Sequence, residues 1–311
     1  MTTKLAIVFP GQGSQSVGML ADLYAEFDTV KHTFAEASVA LGYDLWALVS
    51  QGPEADLNET HRTQPALLTA SVAVWRLWQQ QGGATPAYFA GHSLGEYSAL
   101  VCAGVLSLAD AVKLVEKRGN YMQQAVPAGV GAMSAIIGLE DAAIAVACEQ
   151  AAQGEVVSPV NYNSPGQVVI AGHKAAVERA GELCKAAGAK RALPLPVSVP
   201  SHCALMRPAA EQLAADLAAL NFNAAVIPVV NNVDVAVAND GAAVKDALVR
   251  QLYSPVRWTE TIEWLAAQGV NQVLELGAGK VLSGLIKRIN KELVTSSVGD
   301  VASLQAALSA E

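Results

Sequence analysis

The chain has 311 residues, with 20 Lys and Arg against 28 Asp and Glu, for a net charge of −8. Apolar residues make up 52% and charged ones 15%, enough for a large core; disordered, collagen-like and disulfide-scaffold classes are excluded. The acidic balance argues against a nucleic-acid partner, because neutralising phosphates takes a net basic surface.

In chain order, the apolar run Leu5–Phe9 ended by Pro-Gly-Gln-Gly reads as a buried strand entering a tight loop. Helical patterns follow up to Gln81, among them Gln64–Gln80, in which Pro65 falls in the first turn and Gly82-Gly83 marks the stop. Tyr88–Ala90 reads as a strand running into Gly-His-Ser-Leu-Gly-Glu-Tyr and an alanine- and leucine-rich helix, and Ser107 as the N-cap of a helix to about Gln123. After Pro127 the pattern becomes strand Gly131–Gly138, helix Glu140–Ala152, strand Val156–Tyr162, strand Gln167–Ala171, helix Lys174–Ala187 and strand Lys190–Val197. That β-α-β-β-α-β order is the split βαβ arrangement of a ferredoxin-like module. Helix Pro208–Leu220, strand Ile227–Asn231, helices near Ala243–Leu252 and Thr259–Gln268, strand Gln272–Leu276 and one last helix then resume the earlier rhythm. The expected architecture is α/β: an α/β-hydrolase-like catalytic domain with a parallel sheet core, residues 1–124 and 198–311, carrying a ferredoxin-like insertion at 125–197.

MTTKLAIVFPGQG has no signal-peptide apolar region, and no apolar run long enough to span a membrane follows. A cytoplasmic protein without a membrane partner is expected. Cys102, Cys148, Cys184 and Cys203 are too widely spaced for a metal knuckle and read as small core thiols, so no metal is expected.

Gly91-His92-Ser93-Leu94-Gly95 matches G-x-S-x-G between a strand and a helix. In that context a sharp turn lifts the serine hydroxyl off the strand end beside helix N-terminal amides that can hold an oxyanion. The same residues could also form an ordinary strand-to-helix turn with a capping serine. Of five histidines, His32 reads as a solvated helical residue, His61 as part of a polar loop, and His173 as a strand end. His92 adjoins Ser93 and points away from it. His202, in Val199-Pro200-Ser201-His202-Cys203, lies in a loop after a strand, where α/β enzymes place catalytic groups; position alone leaves it open between a base and a structural histidine. No Asp or Glu between Ser93 and His202 stands out as a third member, which weakens an ordinary hydrolase reading. The loop Gly11-Gln12-Gly13 fits neither nucleotide motif, but its glycines would let a backbone amide approach a neighbouring site. Arg118, taken alone, reads as a solvated helix end.

FPGQGSQ, TQPAL, GHSLGEYSAL, KRGNYMQ, VPSH, QLYSPVRW and ELGAGKVLSGL together resemble malonyl-CoA:acyl carrier protein transacylases of the free-standing bacterial type, in order, from about residue 4 to about residue 300. The resemblance implies Ser93 as acyl-carrying nucleophile, His202 as base, and the main-chain carbonyl of Gln251 as its orienting group in place of an acid. It implies Gln12 and Leu94 amides as the oxyanion hole and Arg118 as the partner of the malonyl carboxylate. It further implies malonyl-CoA and a holo-acyl carrier protein as substrates, no cofactor, and a monomer meeting its carrier transiently. Lys190 and Arg191, with Lys185, or Lys280, Lys287, Arg288 and Lys291, could dock an acidic carrier. Rival readings are a polyketide-type acyltransferase loading malonyl or methylmalonyl, a serine thioesterase, and a non-catalytic carrier-binding module.

Overall fold

All five side chains of strand β1 (Leu5–Phe9) are buried. An unbroken apolar run suits a strand covered on both faces, and alternate side chains do part: Ile7 and Phe9 join one apolar cluster, Ala6 and Val8 another. β1 pairs in parallel with β2 (Tyr88–Gly91), with Ile7 opposite Phe89. The computed structural model describes residues 3–197 and 199–310. Ser198, at which the sequence reading resumes the larger domain, and residues 1, 2 and 311 at its expected ends lie outside the described residues.

Beyond β2 the chain forms β3 (Gly131–Ile137), β4 (Val157–Ser164), β5 (Gln167–His173) and β6 (Arg191–Pro194). It then returns to β7 (Val229–Val230), β8 (Gln272–Leu276) and β9 (Val294–Val298). The result is a mixed α/β structure with two sheets: a parallel one ordered β7-β2-β1-β8-β9 and a separate antiparallel one ordered β4-β5-β3-β6. Helices Asp141–Ala152 and Lys174–Ala186 cover one face of the antiparallel sheet through Ile144, Cys148, Val177 and Cys184. Its other face packs Met133, Val160, Val169 and Ala171 on Cys203 and Leu205. Backbone bonds tie the sheets' surroundings together: Val256 N–H donates to Val160 O at 2.8 Å and Tyr162 N–H to Val256 O at 3.0 Å. The loop carrying His202 rests on the antiparallel sheet through Cys203.

Four readings need correction. The helix expected from Gln64 begins at Thr60, so Pro65 sits in its second turn and His61 belongs to the helix rather than to a loop. Thr63 Oγ1 supports this early turn by donating to Leu57 O at 2.5 Å. The strand expected over Ile227–Asn231 is shortened to Val229–Val230, an edge strand paired in parallel with β2 and met on its other side by a single bridge from Val230 to Val237. Strand β9 and the helix Val301–Ser309 follow the helix Val281–Ile289 that the sequence reading takes as the last. β9 is VTSSV at the other sheet edge, too polar to signal a strand; the helix after it rests on a capping box, Asp300 Oδ1 accepting from Ser303 N–H at 2.7 Å.

Glu275, at the end of β8, is buried and accepts from the Leu282 and Ser283 amides at 3.1 and 2.7 Å, closing the open N-terminus of helix Val281–Ile289. Two glycines separate packing from propensity. A Cβ on Gly95 would stand 2.1 Å from Phe9 O, whereas one on the exposed, helical Gly284 would meet nothing within 4 Å. Gly95→Ala should destabilise by about 3 kcal/mol, because helix and strand must separate. Gly284→Ala should stabilise by about 0.5–1 kcal/mol. Urea unfolding checks both; equal effects would contradict the assigned packing.

Candidate active site

Ser93 lies between β2 and the helix Leu94–Cys102 with φ 52° and ψ −109°, a conformation that L-residues rarely hold. Gly91 and Gly95 make the turn possible, since a Cβ on Gly91 would fall 1.9 Å from Gly95 C. The neighbours then fix the serine backbone: its N–H donates to Asn232 Oδ1 at 2.8 Å, and its carbonyl accepts from Gln251 Nε2 at 3.1 Å. Its side chain faces His202, with Oγ 2.8 Å from Nε2.

His202, only 3% exposed, also sits in left-handed backbone, φ 64°. Its Nδ1 lies 2.7 Å from the main-chain carbonyl of Gln251. A carbonyl only accepts, so Nδ1 carries the proton and Nε2 presents a lone pair to Ser93 Oγ. Burial first, and the positive charge of Arg118 second, pull the imidazole down to about 3, against the Gln251 carbonyl, which favours the charged form. His202 is thus a neutral base throughout the physiological range.

Arg118 projects from the helix Leu108–Ala125 and has no exposed surface. Its Nη1 donates to Gln64 Oε1 at 2.7 Å, and its Nη2 to Gln251 Oε1 at 3.0 Å and Ser93 Oγ at 3.2 Å. Nε is buried with no hydrogen-bond acceptor among the described residues. The guanidinium carbon lies 5.2 Å from the centre of the Tyr97 ring, and Tyr97 and Glu96 oppose the downward push of burial on its pKa. A solvated helix end, the reading of Arg118 taken alone, is overturned. The guanidinium is aimed at the serine.

Gln12 occupies the loop after β1. A Cβ on Gly11 would lie 2.5 Å from His92 O, so this loop runs against the backbone of the serine turn. Gln12 Oε1 accepts from Thr60 Oγ1 at 3.0 Å, which accepts from Gln64 Nε2 at 2.9 Å; the loop is tied to Arg118 through two side chains. The amides of Gln12 and Leu94 have no acceptor among the described residues. His92 turns away from the serine, its Nε2 at 2.8 Å from Asn163 Oδ1. Lys190 and Arg191 lie outside this cluster, exposed at the β6 edge of the antiparallel sheet, and Lys185 pairs with Glu182 at 2.8 Å. Arg288 reaches that sheet through Gln167 Oε1 at 2.6 Å. Among the described residues no group of three or more His, Cys, Asp or Glu is placed to hold a metal, and no helix is long and apolar enough to cross a membrane.

Four buried polar groups escaped residue-by-residue reading: Gln64, Glu96, Asn232 and the side-chain amide of Gln251. Gln64 carried the one usable signal, a polar residue among Pro65, Leu67 and Leu68 on a helix whose neighbours are all buried. Glu96 resembles any acidic first-turn residue, and Asn232 any turn after a strand.

A sequence profile of the acyl transferase domain matches residues 6–306. The malonyl CoA-acyl carrier protein transacylase of Salmonella typhimurium is 69% identical over 306 residues, spanning 98% of this chain and 99% of its own. Among solved structures, an acyl carrier protein S-malonyltransferase from Vibrio cholerae superposes with a TM-score of 0.96 at 71% identity, over 98% of this chain and 99% of its own. PlMCAT:AntF, a type II PKS acyl-carrier protein in complex with its malonyl-transacylase, gives 0.98 at 63% identity, over 99% and 100%. The chain therefore belongs to the acyl transferase family, in the branch of its free-standing malonyl CoA-acyl carrier protein transacylases.

The depressed basicity of His202 has a direct spectroscopic consequence. Nitrogen-15 NMR at about pH 5, where an ordinary histidine is protonated, should find His202 neutral with its proton on Nδ1. A doubly protonated ring there would contradict the assigned burial and its orienting carbonyl.

Proposed function

We propose that this chain transfers a malonyl group from malonyl-CoA to the phosphopantetheine thiol of an acyl carrier protein, through a malonyl ester on Ser93, and so supplies fatty-acid chain elongation. The observation that carries the reading is the buried guanidinium of Arg118 within 3.2 Å of Ser93 Oγ, beside a neutral histidine at 2.8 Å. A serine and its base fit any acyl transfer; a desolvated cation beside them selects an acyl group that ends in an anion.

His202 Nε2 takes the Ser93 proton as Oγ attacks the thioester carbon. The oxyanion is held by the amides of Gln12 and Leu94, whose N–H groups have no acceptor among the described residues. Collapse breaks the carbon–sulfur bond, and the coenzyme A thiolate leaves with the proton from His202. The carrier thiol then gives its proton to His202 and attacks the malonyl ester, and Ser93 Oγ departs as the leaving group and regains that proton. The Gln251 carbonyl keeps the imidazole in one tautomer and stabilises the imidazolium that forms. Neither metal nor redox cofactor enters these steps.

The order β4-β5-β3-β6 with two helices on one face supports a ferredoxin-like module at 125–197. A parallel sheet with the serine at the end of β2 supports an α/β-hydrolase-like domain made of 1–124 and 198–311. The phosphopantetheine arm would reach Ser93 from the side of the small module, with Lys190 and Arg191 drawing an acidic carrier to it. The protein would act in the cytoplasm as a monomer. The complex of the relative PlMCAT with a type II PKS carrier favours one second reading, delivery to a polyketide carrier by the same chemistry.

Intact-mass measurement with malonyl-CoA and acetyl-CoA tests the reading. A malonyl adduct is expected that is absent in Ser93→Ala, cleared quickly by holo-carrier and slowly by water. Arg118→Ala should lower malonyl loading by about a hundredfold or more and erase the preference over acetyl, since a charge-assisted bidentate pair is lost. Lys190→Glu with Arg191→Glu should slow discharge to the carrier relative to loading. Rapid clearance by water would make the protein a thioesterase, and full malonyl preference in Arg118→Ala would refute the role given to the arginine.

A further inference from the structure

Glu96 is a carboxyl group 2% exposed, one turn into the helix that Ser93 begins, and the mechanism above gives it no part. Its Oε2 accepts from two donors, Asn232 N–H at 3.0 Å and Gln251 Nε2 at 2.8 Å. Those two residues are the ones that hold the serine: Asn232 Oδ1 accepts the Ser93 N–H, and Gln251 Nε2 also donates to the Ser93 carbonyl. Asn232 is itself fixed by Nδ2 donating to Gly91 O at 2.7 Å, across the same turn. The strained φ of Ser93 is therefore braced at both backbone groups by residues that meet on one carboxylate oxygen.

Gln251 adds a second consequence. Its main-chain carbonyl orients His202, and its side-chain oxygen receives Arg118 Nη2. A side-chain amide can turn over, exchanging donor for acceptor. An ionised carboxylate accepts only, so Glu96 requires Nε2 on its side and leaves Oε1 for the guanidinium. Guanidinium, amide and carboxylate then form one chain of hydrogen bonds polarised in a single direction. We propose that Glu96 is a positioning residue for acyl transfer, holding the Ser93 turn through Asn232 and Gln251 and setting the direction of the Gln251 amide toward Arg118. The proposal rests on Ser93 being the acyl carrier.

The charged groups that bear on Glu96 are Arg118, from the neighbouring helix, and Asp234, from the loop after β7; Asp234 is itself held by Arg250 at 2.8 Å on each oxygen. Burial dominates over its donors and Arg118 and raises the carboxyl to about 7. Below that pH Glu96 gains a proton, and its O–H competes with the amide for acceptors. His202, near 3, stays an unprotonated base over the same range. On this proposal, acylation should lose rate as pH falls through neutrality, and the group responsible is Glu96 rather than His202.

The rate of Ser93 malonylation, read by quenched-flow intact mass between about pH 5 and about pH 9 for the wild type, Glu96→Gln and Glu96→Asp, tests this. A wild type that forms no Ser93 adduct rejects the acyl-transfer reading itself and, with it, this proposal. Given the adduct, the wild type should lose rate on the acid side near pH 7. Glu96→Gln should be slower by about tenfold to a hundredfold, the loss that a small displacement of reacting groups produces, with that acid limb gone. Glu96→Asp should keep the limb and recover part of the rate. A folded Glu96→Gln with the wild-type rate, or a slow one with the limb unmoved, overturns the proposal. Should Glu96→Gln fail to fold, the Glu96→Asp profile decides, and a flat one overturns the proposal.

Discussion

Arg118 has no surface in contact with solvent; it donates to two glutamine side chains and the serine hydroxyl, with Tyr97 beside it. Removing a guanidinium from water costs several kcal/mol unless hydrogen bonds and opposite charge offset it. Neutral amide oxygens return part of that cost, and the carboxylate of Glu96, one amide away, returns more. The rest is available to a ligand that brings its own carboxylate. In the role proposed for Arg118, substrate choice follows from desolvation: an acyl group without a terminal anion leaves the cation as poorly satisfied as before, and one with it completes the site.

This constraint organises the surroundings. The helix Leu108–Ala125 must pack closely enough on Thr60–Gln80 for Arg118 to meet Gln64, and a Cβ on Gly119 would lie 2.5 Å from His61 Cα. Gln64 then links to the loop after β1 through Thr60 and Gln12, while Gln251 links to His202 and the serine turn. The loop bearing Gln12, the Ser93 turn, His202 and Arg118 thus share one hydrogen-bonded system, most of it buried. Such a system is worth most when fully satisfied and costs most when broken. It also explains how the histidine dispenses with an acidic partner: a nearby carboxylate would raise its basicity, whereas a carbonyl fixes the tautomer and leaves the ring neutral.

The sequence made the interior strands of the parallel sheet legible and its edges less so, whereas the edge strands of the antiparallel sheet, β4 and β6, were read. Leu5–Phe9 is buried on both faces and wholly apolar, and Gln272–Leu276 keeps Val273, Leu274 and Leu276 around the buried Glu275; Val294–Val298 lies at an edge with Thr and Ser half exposed, and no periodicity marks it. The strand-to-helix glycine pattern around Ser93 was readable because backbone crowding, not side-chain chemistry, dictates it. Arg118 was not readable from its own neighbourhood, where Glu116, Lys117 and Asn120 suggest solvent; only the ordered set of motifs pointed inward. Glu96, Asn232 and the Gln251 amide were invisible for a different reason. Their roles arise from partners 19 to 158 residues away, and a local pattern carries no trace of such contacts.

The crystal structure of the protein with malonyl trapped on Ser93 tests the central claim most directly. The account places the terminal carboxylate on the Arg118 guanidinium in a two-pronged pair, with the ester oxygen directed at the amides of Gln12 and Leu94. A malonyl-serine whose carboxylate points to solvent, with Arg118 still bound only to Gln64 and Gln251, would contradict it.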